Sequence, residues 1–134
     1  MNFYPIKIVS MLLLMFAVGG SFGCSKATTE DLNVRVAEAQ ELWEKQEAII
    51  LDVRTEEEYA QGHIPGVLFI PLDQLPTRIE EVPKDKKILI ICRSGNRSLE
   101  ATQLLRDKGY THVYNVTEGM NSWKGLVEKG IIPK

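Results

Sequence analysis

Residues 88–98 read Ile88-Leu89-Ile90-Ile91-Cys92-Arg93-Ser94-Gly95-Asn96-Arg97-Ser98. The run of four apolar residues before the cysteine predicts a β-strand that is buried on both faces, as in a parallel sheet. Gly95 permits a turn with positive φ, and Asn96 can cap a helix that is predicted over residues 97–108. The sequence therefore predicts a cysteine at the end of a buried strand, in a loop where backbone N–H groups converge.

The stretches around this segment alternate between strand and helix patterns. Strands are predicted over residues 48–53, 67–70, 87–91 and 112–116, and further helices over 36–46, 55–61, 75–82 and 121–129. Pro76 weakens the helix over 75–82, and the last helix would place Trp123 and Val127 on one face. The alternation predicts an α/β fold, a parallel sheet flanked by helices on both faces. Ligands of such sheets bind beyond the carboxyl ends of the strands, where Cys92 is expected to lie.

Cys92 is a candidate nucleophile because its neighbours favour the thiolate. An ordinary cysteine, with a pKa of about 8.5, is only a few per cent ionised at neutral pH. A loop of N–H groups, the start of a helix and the guanidinium groups of Arg93 and Arg97 would each favour the anion. An isolated cysteine after an apolar run is more often a small buried residue, but a glycine and two arginines within five residues favour a reactive thiol.

The segment from Cys92 to Arg97 resembles the Cys-x4-Arg loop of single-domain rhodaneses, a family of sulfurtransferases. Two further stretches are similar to the family's flanking motifs. One runs over residues 51–67 and includes Asp52-Val53-Arg54 and His63-Ile64-Pro65-Gly66, and the other is Glu118-Gly119-Met120-Asn121-Ser122-Trp123. The resemblance covers nearly the whole chain from about Leu32 onward and implies a rhodanese-like fold.

The resemblance also implies a site and a chemistry. Cys92 would be the catalytic residue and would carry sulfur as a persulfide, while a substrate-binding loop would hold an anion: Arg93, Ser94, Gly95, Asn96, Arg97 and Ser98. The implied donor is thiosulfate or a similar small sulfur-containing anion, and the implied acceptor is a thiol or cyanide. Supporting positions would be Asp52, Arg54, Glu58, His63 and Trp123. No cofactor is implied, and the sequence shows no metal-ligand spacing.

Several alternatives stay open at this stage. Arg97 either pairs with the oxyanion of the donor or ties the loop to an acidic neighbour. A protein partner that donates or accepts sulfur would make the chain a noncatalytic sulfur carrier or binding module. The Cys-x4-Arg loop is one residue shorter than the loop of tyrosine phosphatases and arsenate reductases, so we expect a tighter cradle that suits sulfur better than phosphate, and oxyanion chemistry is a minor alternative.

The length and charge of the chain limit the number of domains and the kinds of binding partner. The chain has 134 residues, enough for one domain, with 16 basic and 18 acidic residues and a formal net charge of −2. A nucleic-acid partner is not expected, because such proteins carry a basic surface.

Residues 1–23 are predicted to be a signal peptide, with Lys7 followed by an apolar core over residues 8–18. This core is well short of the roughly 20 residues that span a bilayer. Gly23-Cys24 is similar to the end of a lipobox, which predicts a lipoprotein attached to a membrane only by a lipid on Cys24. Cleavage after Gly23 to give a secreted protein is the alternative. Residues 24–31 are predicted to be a flexible tether and 32–134 the folded domain, in the periplasm or cell envelope.

Overall fold

The computed structural model describes residues 32–130 of the chain. The predicted leader, the predicted lipidation site at Cys24 and the tether lie outside these residues, as do residues 131–134. Across residues 32–130, none of the helices has the length and apolar character needed to cross a membrane.

Within residues 32–130 the chain forms five strands and three α-helices. The strands are β1 (Asn33–Val34), β2 (Ile49–Asp52), β3 (Leu68–Phe69), β4 (Ile88–Ile91) and β5 (Val113–Val116), and the helices are α1 (Val36–Glu44), α2 (Glu56–Gln61) and α3 (Asn96–Asp107). The strands form one sheet in the order β1-β5-β4-β2-β3, and each strand is parallel to its neighbours. The predicted α/β class is confirmed, and β1 is an additional strand that the sequence patterns did not indicate.

Strand β4 lies in the middle of the sheet and is buried on both faces. Ile88 and Ile90 pack in the cluster that contains α3, whereas Leu89 and Ile91 pack in the cluster that contains α1. Side chains alternate between the faces of a strand, so a strand covered on both sides needs an unbroken apolar run. Full burial of each such side chain contributes about 1.5–3 kcal/mol, which fixes the position of the residue that follows the strand.

Parallel pairing places the ends of β2 and β4 side by side. Asp52 is the register partner of Ile91, and the N–H of Val53 donates to the carbonyl of Ile91 at 3.0 Å. The polar residues that follow β2 therefore lie at the same edge of the sheet as Cys92. This is the carboxyl edge, where the sequence predicted the site.

Two predicted helices are wrong. Residues 75–82 form two short 3₁₀ turns, Leu75–Thr77 and Ile79–Glu81, with Pro76 in the first. Residues 121–129 form no α-helix, because a 3₁₀ turn over Gly119–Ser122 is followed by an irregular segment. That segment pairs with His63, whose N–H and carbonyl each bond to the backbone of Glu128. These bonds replace a helical pattern and leave Val127 56% exposed.

The start of α3 also differs from the prediction. Gly95 occupies the N-cap position in the left-handed region, with φ of 97°, and Asn96 is the first helical residue instead of the cap. Among the residues that the structure describes, no side chain caps this helix. The first turn of α3 thus begins within the segment from Cys92 to Arg97, which is called the cysteine loop below.

Candidate active site

The sulfur of Cys92 lies among hydrogen-bond donors of the loop. The N–H of Gly95 donates to Cys92 Sγ at 3.1 Å, and the hydroxyl of Ser98 lies 3.2 Å from the same atom. Cys92 is a free cysteine and is only 1% exposed. Such a nest of N–H groups at a helix start favours an anion.

The cysteine loop is hydrogen-bonded to the turn that follows β5, over Gly119–Ser122. The N–H of Met120 donates to the carbonyl of Cys92 at 2.8 Å, and the N–H of Asn121 donates to the carbonyl of Arg93 at 3.0 Å. In a trans peptide the C=O and the next N–H point in opposite directions. Drawing the Arg93 carbonyl toward the turn therefore turns the N–H of Ser94 toward the sulfur.

Burial and hydrogen bonding act in opposite directions on the thiol. Burial is the largest single effect and raises the pKa of Cys92. The Ser98 hydroxyl and the backbone N–H groups of Ser98, Ser94 and Gly95 lower it, and together they bring the pKa of Cys92 below its usual value. The site therefore favours a thiolate in a place from which water is largely excluded.

A polar chain continues inward from the sulfur. Ser98 is fully buried, and its hydroxyl donates to Oδ1 of Asn115 at 2.5 Å. Nδ2 of Asn115 donates to Oδ1 of Asn33 at 2.9 Å. Asn33 and Asn115 are register partners on β1 and β5, which places their side chains next to each other.

Arg97 makes a two-pronged ion pair with Glu58. Its Nη1 and Nη2 donate to the two carboxylate oxygens at 2.7 and 2.8 Å. Glu58 also closes a capping box with Thr55 at the start of α2. The Arg97 hydrogen bonds are the main cause that lowers the pKa of Glu58 from 4.5 to about 2, with burial opposing and Thr55 adding to the effect. Arg97 thus ties the cysteine loop to α2.

A second, deeper pair lies beside it. Asp52 is fully buried, and Arg54 donates to it from its backbone N–H, Nε and Nη2, the last at 2.7 Å. Arg54 Nη2 also donates to the carbonyl of Gly62 at 2.9 Å, just beyond α2. A buried guanidinium needs such saturation, since an unpaired buried charge costs several kcal/mol. The pair fixes the rim of the site on the β2 side.

The outer part of the loop faces solvent. Arg93, Ser94 and Asn96 are exposed. Arg93 and Glu58 line a cavity of about 300 Å³ together with residues of the turn after β5. A larger cavity of about 610 Å³ lies against Arg97 and Leu104, but its lining is mainly apolar and suits an oxyanion less well. The smaller cavity is the better candidate entrance for a small anion.

His63 and Trp123 hold neighbouring segments in place. Nδ1 of His63 lies 2.8 Å from the carbonyl of Tyr59 and Nε2 lies 3.1 Å from Oε1 of Glu128, and the ring stacks on Tyr59. Trp123 meets Trp43 edge to face at a centroid distance of 5.7 Å. Both residues therefore support the segment that follows the turn over Gly119–Ser122.

The contacts of two residues near the site were not predicted from the sequence, although Glu118 belongs to the third motif. Glu118 accepts from the N–H of Val36 at 2.9 Å and so caps α1 from another part of the chain, because the N-cap residue Arg35 makes no side-chain cap. Asn115 was read only as part of a strand. A buried asparagine in an apolar strand is unusual and needs hydrogen-bond partners, which is the signal that could have identified it.

The fold and the loop define an α/β protein with a buried cysteine, surrounded by hydrogen-bond donors, at the carboxyl edge of a parallel sheet. The sequence profile of the family described as "Rhodanese-like domain" matches residues 35–126. The chain therefore belongs to the rhodanese-like family.

Individual proteins agree with this assignment. The chain is 40% identical over 85 residues to a protein of Allochromatium vinosum named "Sulfurtransferase", an overlap of 63% of this chain and 79% of the relative. It is 33% identical over 87 residues to a protein of Coxiella burnetii named "Thiosulfate sulfurtransferase", covering 65% and 81%. A crystal structure of a rhodanese-like domain protein from Staphylococcus aureus superposes with a TM-score of 0.67 at 31% identity, covering 72% of this chain and 96% of that one.

The contact between the loop and the turn after β5 depends on Gly119. Its φ is +58°, and a Cβ there would lie 2.5 Å from the carbonyl oxygen of Cys92. We expect Gly119→Ala to lower the free energy of unfolding by more than about 3 kcal/mol, because strain and a backbone clash add together. Chemical denaturation measures this loss.

Gly66→Ala is the matched control for this substitution. Gly66 has a φ of +71°, yet nothing lies within 4 Å of its added Cβ. Only the backbone strain should remain, about 1 kcal/mol. Equal losses in the two variants would show that the close approach at Gly119 is unimportant.

The pair between Glu58 and Arg97 predicts a pH-dependent contribution to stability. The pKa of Glu58 is lowered to about 2 in the folded protein, so its contribution is present above the unfolded value of 4.5 and is lost as pH falls toward about 2. We expect Glu58→Gln to cost about 1–2 kcal/mol at neutral pH. The difference from wild type should shrink between pH 4.5 and about 2, as measured by denaturation at each pH.

Glu57→Gln removes an exposed carboxylate from the same first turn of α2 and serves as the control. It should change stability by less than about 0.5 kcal/mol. The ion pair would have no structural importance if both variants lost the same amount.

Proposed function

We propose that this protein is a sulfurtransferase that moves sulfane sulfur from thiosulfate, or a similar small anion, to a thiophilic acceptor through a persulfide on Cys92. The observation that supports this most directly is the buried Cys92 sulfur, which accepts a hydrogen bond from the N–H of Gly95 and has a lowered pKa. The name of the Coxiella burnetii relative points to the same donor.

The proposed reaction has two displacement steps. The Cys92 thiolate attacks the outer sulfur of thiosulfate, the S–S bond of the donor breaks, and sulfite leaves with the electron pair. The terminal sulfur of the resulting persulfide is then attacked by an acceptor thiolate or cyanide, which returns the Cys92 thiolate. No external oxidant or reductant is needed, and no cofactor takes part.

The loop residues have distinct roles in this scheme. The N–H groups directed at Sγ stabilise the negative charge of the thiolate and of the persulfide in a poorly hydrated place. Arg93 is exposed beside the entrance cavity and meets the oxyanion end of the donor. Arg97, with two nitrogens committed to Glu58, positions the loop.

We also propose that the leader directs export and that Cys24 carries a lipid, which would place the domain at the cell envelope. The apolar core over residues 8–18 and the Gly23-Cys24 pair support this proposal. Growth with a labelled fatty acid should label the wild-type full-length chain and leave Cys24→Ser unlabelled. Equal labelling of the two, or an unlabelled wild-type chain, would contradict lipid attachment at Cys24.

The sulfur step is tested by the intact mass of the domain after incubation with thiosulfate. We expect wild type to gain about 32 Da, a gain that brief cyanide treatment reverses, because a sulfinic acid of nearly the same mass does not revert in this way. Cys92→Ser should show no gain while keeping its fold. Arg93→Ala should load about fivefold more slowly, equivalent to about 1 kcal/mol for an exposed charge.

Loading that persists in Cys92→Ser would overturn the assignment of the sulfur to this residue. An absence of loading in a folded protein with a titratable thiol would exclude thiosulfate as the donor. Incubation with a persulfidated protein would then separate a partner-fed sulfur carrier from oxyanion chemistry.

A further inference from the structure

The buried hydroxyl of Ser98 has one proton and two acceptors. Its Oγ lies 3.2 Å from Sγ of Cys92 and 2.5 Å from Oδ1 of Asn115. While Cys92 is a thiol, its S–H donates to Ser98 Oγ and Ser98 donates to Asn115, so each of the three groups is satisfied. The hydroxyl cannot donate to both neighbours at once.

Ionisation of Cys92 disturbs this arrangement. A thiolate only accepts hydrogen bonds, so the Ser98 proton must turn toward the sulfur. Oδ1 of Asn115 would then lose its donor in a side chain that is 3% exposed. Leaving a buried acceptor unsatisfied costs about 1–3 kcal/mol, which would oppose formation of the thiolate.

A half-turn of the Asn115 amide removes this cost. The oxygen and nitrogen of the amide are nearly isosteric, so the turn places Nδ2 against Ser98 Oγ as a donor and Oδ1 toward Asn33. Asn33 lies opposite at 2.9 Å and has the same kind of amide, so a matching half-turn offers its NH₂ group to Asn115. The three hydrogen bonds that join Cys92, Ser98, Asn115 and Asn33 are then reversed in direction.

We propose that Asn115 is a positioning residue for Cys92, whose amide reverses direction with Asn33 so that Ser98 can donate to the thiolate. The ionised proton leaves to solvent, and no covalent bond changes. The inference rests on the proposed function only in that the thiolate is the form that accepts sulfur. It agrees with the pKa of Cys92, for which burial is the largest effect and Ser98 is the largest of the opposing ones.

The test is the pH dependence of Cys92 alkylation by iodoacetamide in Asn115→Asp. A carboxylate at this position accepts but cannot donate, so it holds the Ser98 proton away from the sulfur. We expect the midpoint of the pH profile to rise by about one unit, with alkylation about tenfold slower below the midpoint. A thermal melt establishes that the variant is folded.

Asn33→Asp tests the residue at the far end of this series of hydrogen bonds. It is less disruptive to folding than Asn115→Asp, because Asn33 lies on an edge strand and is only partly buried. Its carboxylate accepts permanently from Nδ2 of Asn115 and keeps Oδ1 directed at Ser98. The midpoint should rise here too, even if Asn115→Asp does not fold. Gln103→Glu makes the same amide-to-carboxylate change at an exposed position of α3 and should leave the midpoint within about 0.3 unit.

The same substitutions in a Ser98→Ala background separate a relay through the hydroxyl from the electric field of the new carboxylate. We expect the shifts caused by Asn115→Asp and Asn33→Asp to disappear without Ser98. Shifts of equal size with and without Ser98, or wild-type midpoints in both folded variants, would overturn the proposal. Alkylation needs no sulfur donor, so these midpoints decide the inference even if Cys92 is never loaded from thiosulfate.

Discussion

The cysteine loop depends on the two hydrogen bonds by which the turn after β5 holds the carbonyls of Cys92 and Arg93. The thiol of a cysteine that is only 1% exposed would ordinarily resist ionisation, because burial penalises charge. The two bonds draw backbone oxygens away from the sulfur and leave N–H groups directed at it. Gly119 makes this possible, since only a residue without a side chain lets the turn approach the loop so closely.

Most charged side chains around the cysteine loop are paired with each other, and one arginine is left exposed. Asp52 and Arg54 form a buried pair that stabilises the β2 side of the rim, and Glu58 holds Arg97 with two hydrogen bonds. Paired charges contribute little net field at the sulfur, so the thiolate is favoured mainly by neutral donors. Arg93 is exposed at the entrance and therefore differs from Arg54 and Arg97 in being available to an incoming anion.

Much of the fold follows from residue patterns, and the exceptions have physical causes. The run Ile88–Ile91 identifies a central parallel strand because few other environments bury four consecutive residues. The predicted helix over residues 121–129 is wrong because its backbone groups bond to His63, a partner that periodicity cannot reveal. Asn96 has a common capping side chain, but Gly95 takes the cap because the loop needs a positive φ there.

In the candidate site, too, some features follow from the sequence and others depend on the folded structure. Cys92, Gly95 and Arg97 could be identified from the sequence because their spacing is itself the signal. The ion pair of Arg97 with Glu58 and the position of Asn115 beneath Ser98 depend on how β2, α2 and β5 are brought together. These are contacts between distant parts of the chain, and spacing alone does not specify them.

The support of the loop by the turn over Gly119–Ser122 has a consequence for the order of assembly. The hydrogen bond between Met120 and Cys92 forms only after β5 has docked beside β4. Because this contact joins distant parts of the chain, the donors around the sulfur come together late in folding. Until that moment the chain carries an ordinary, mostly protonated thiol. The lowered pKa of Cys92 is therefore a property of the assembled domain, and thiolate reactivity at neutral pH reports that β5 has docked.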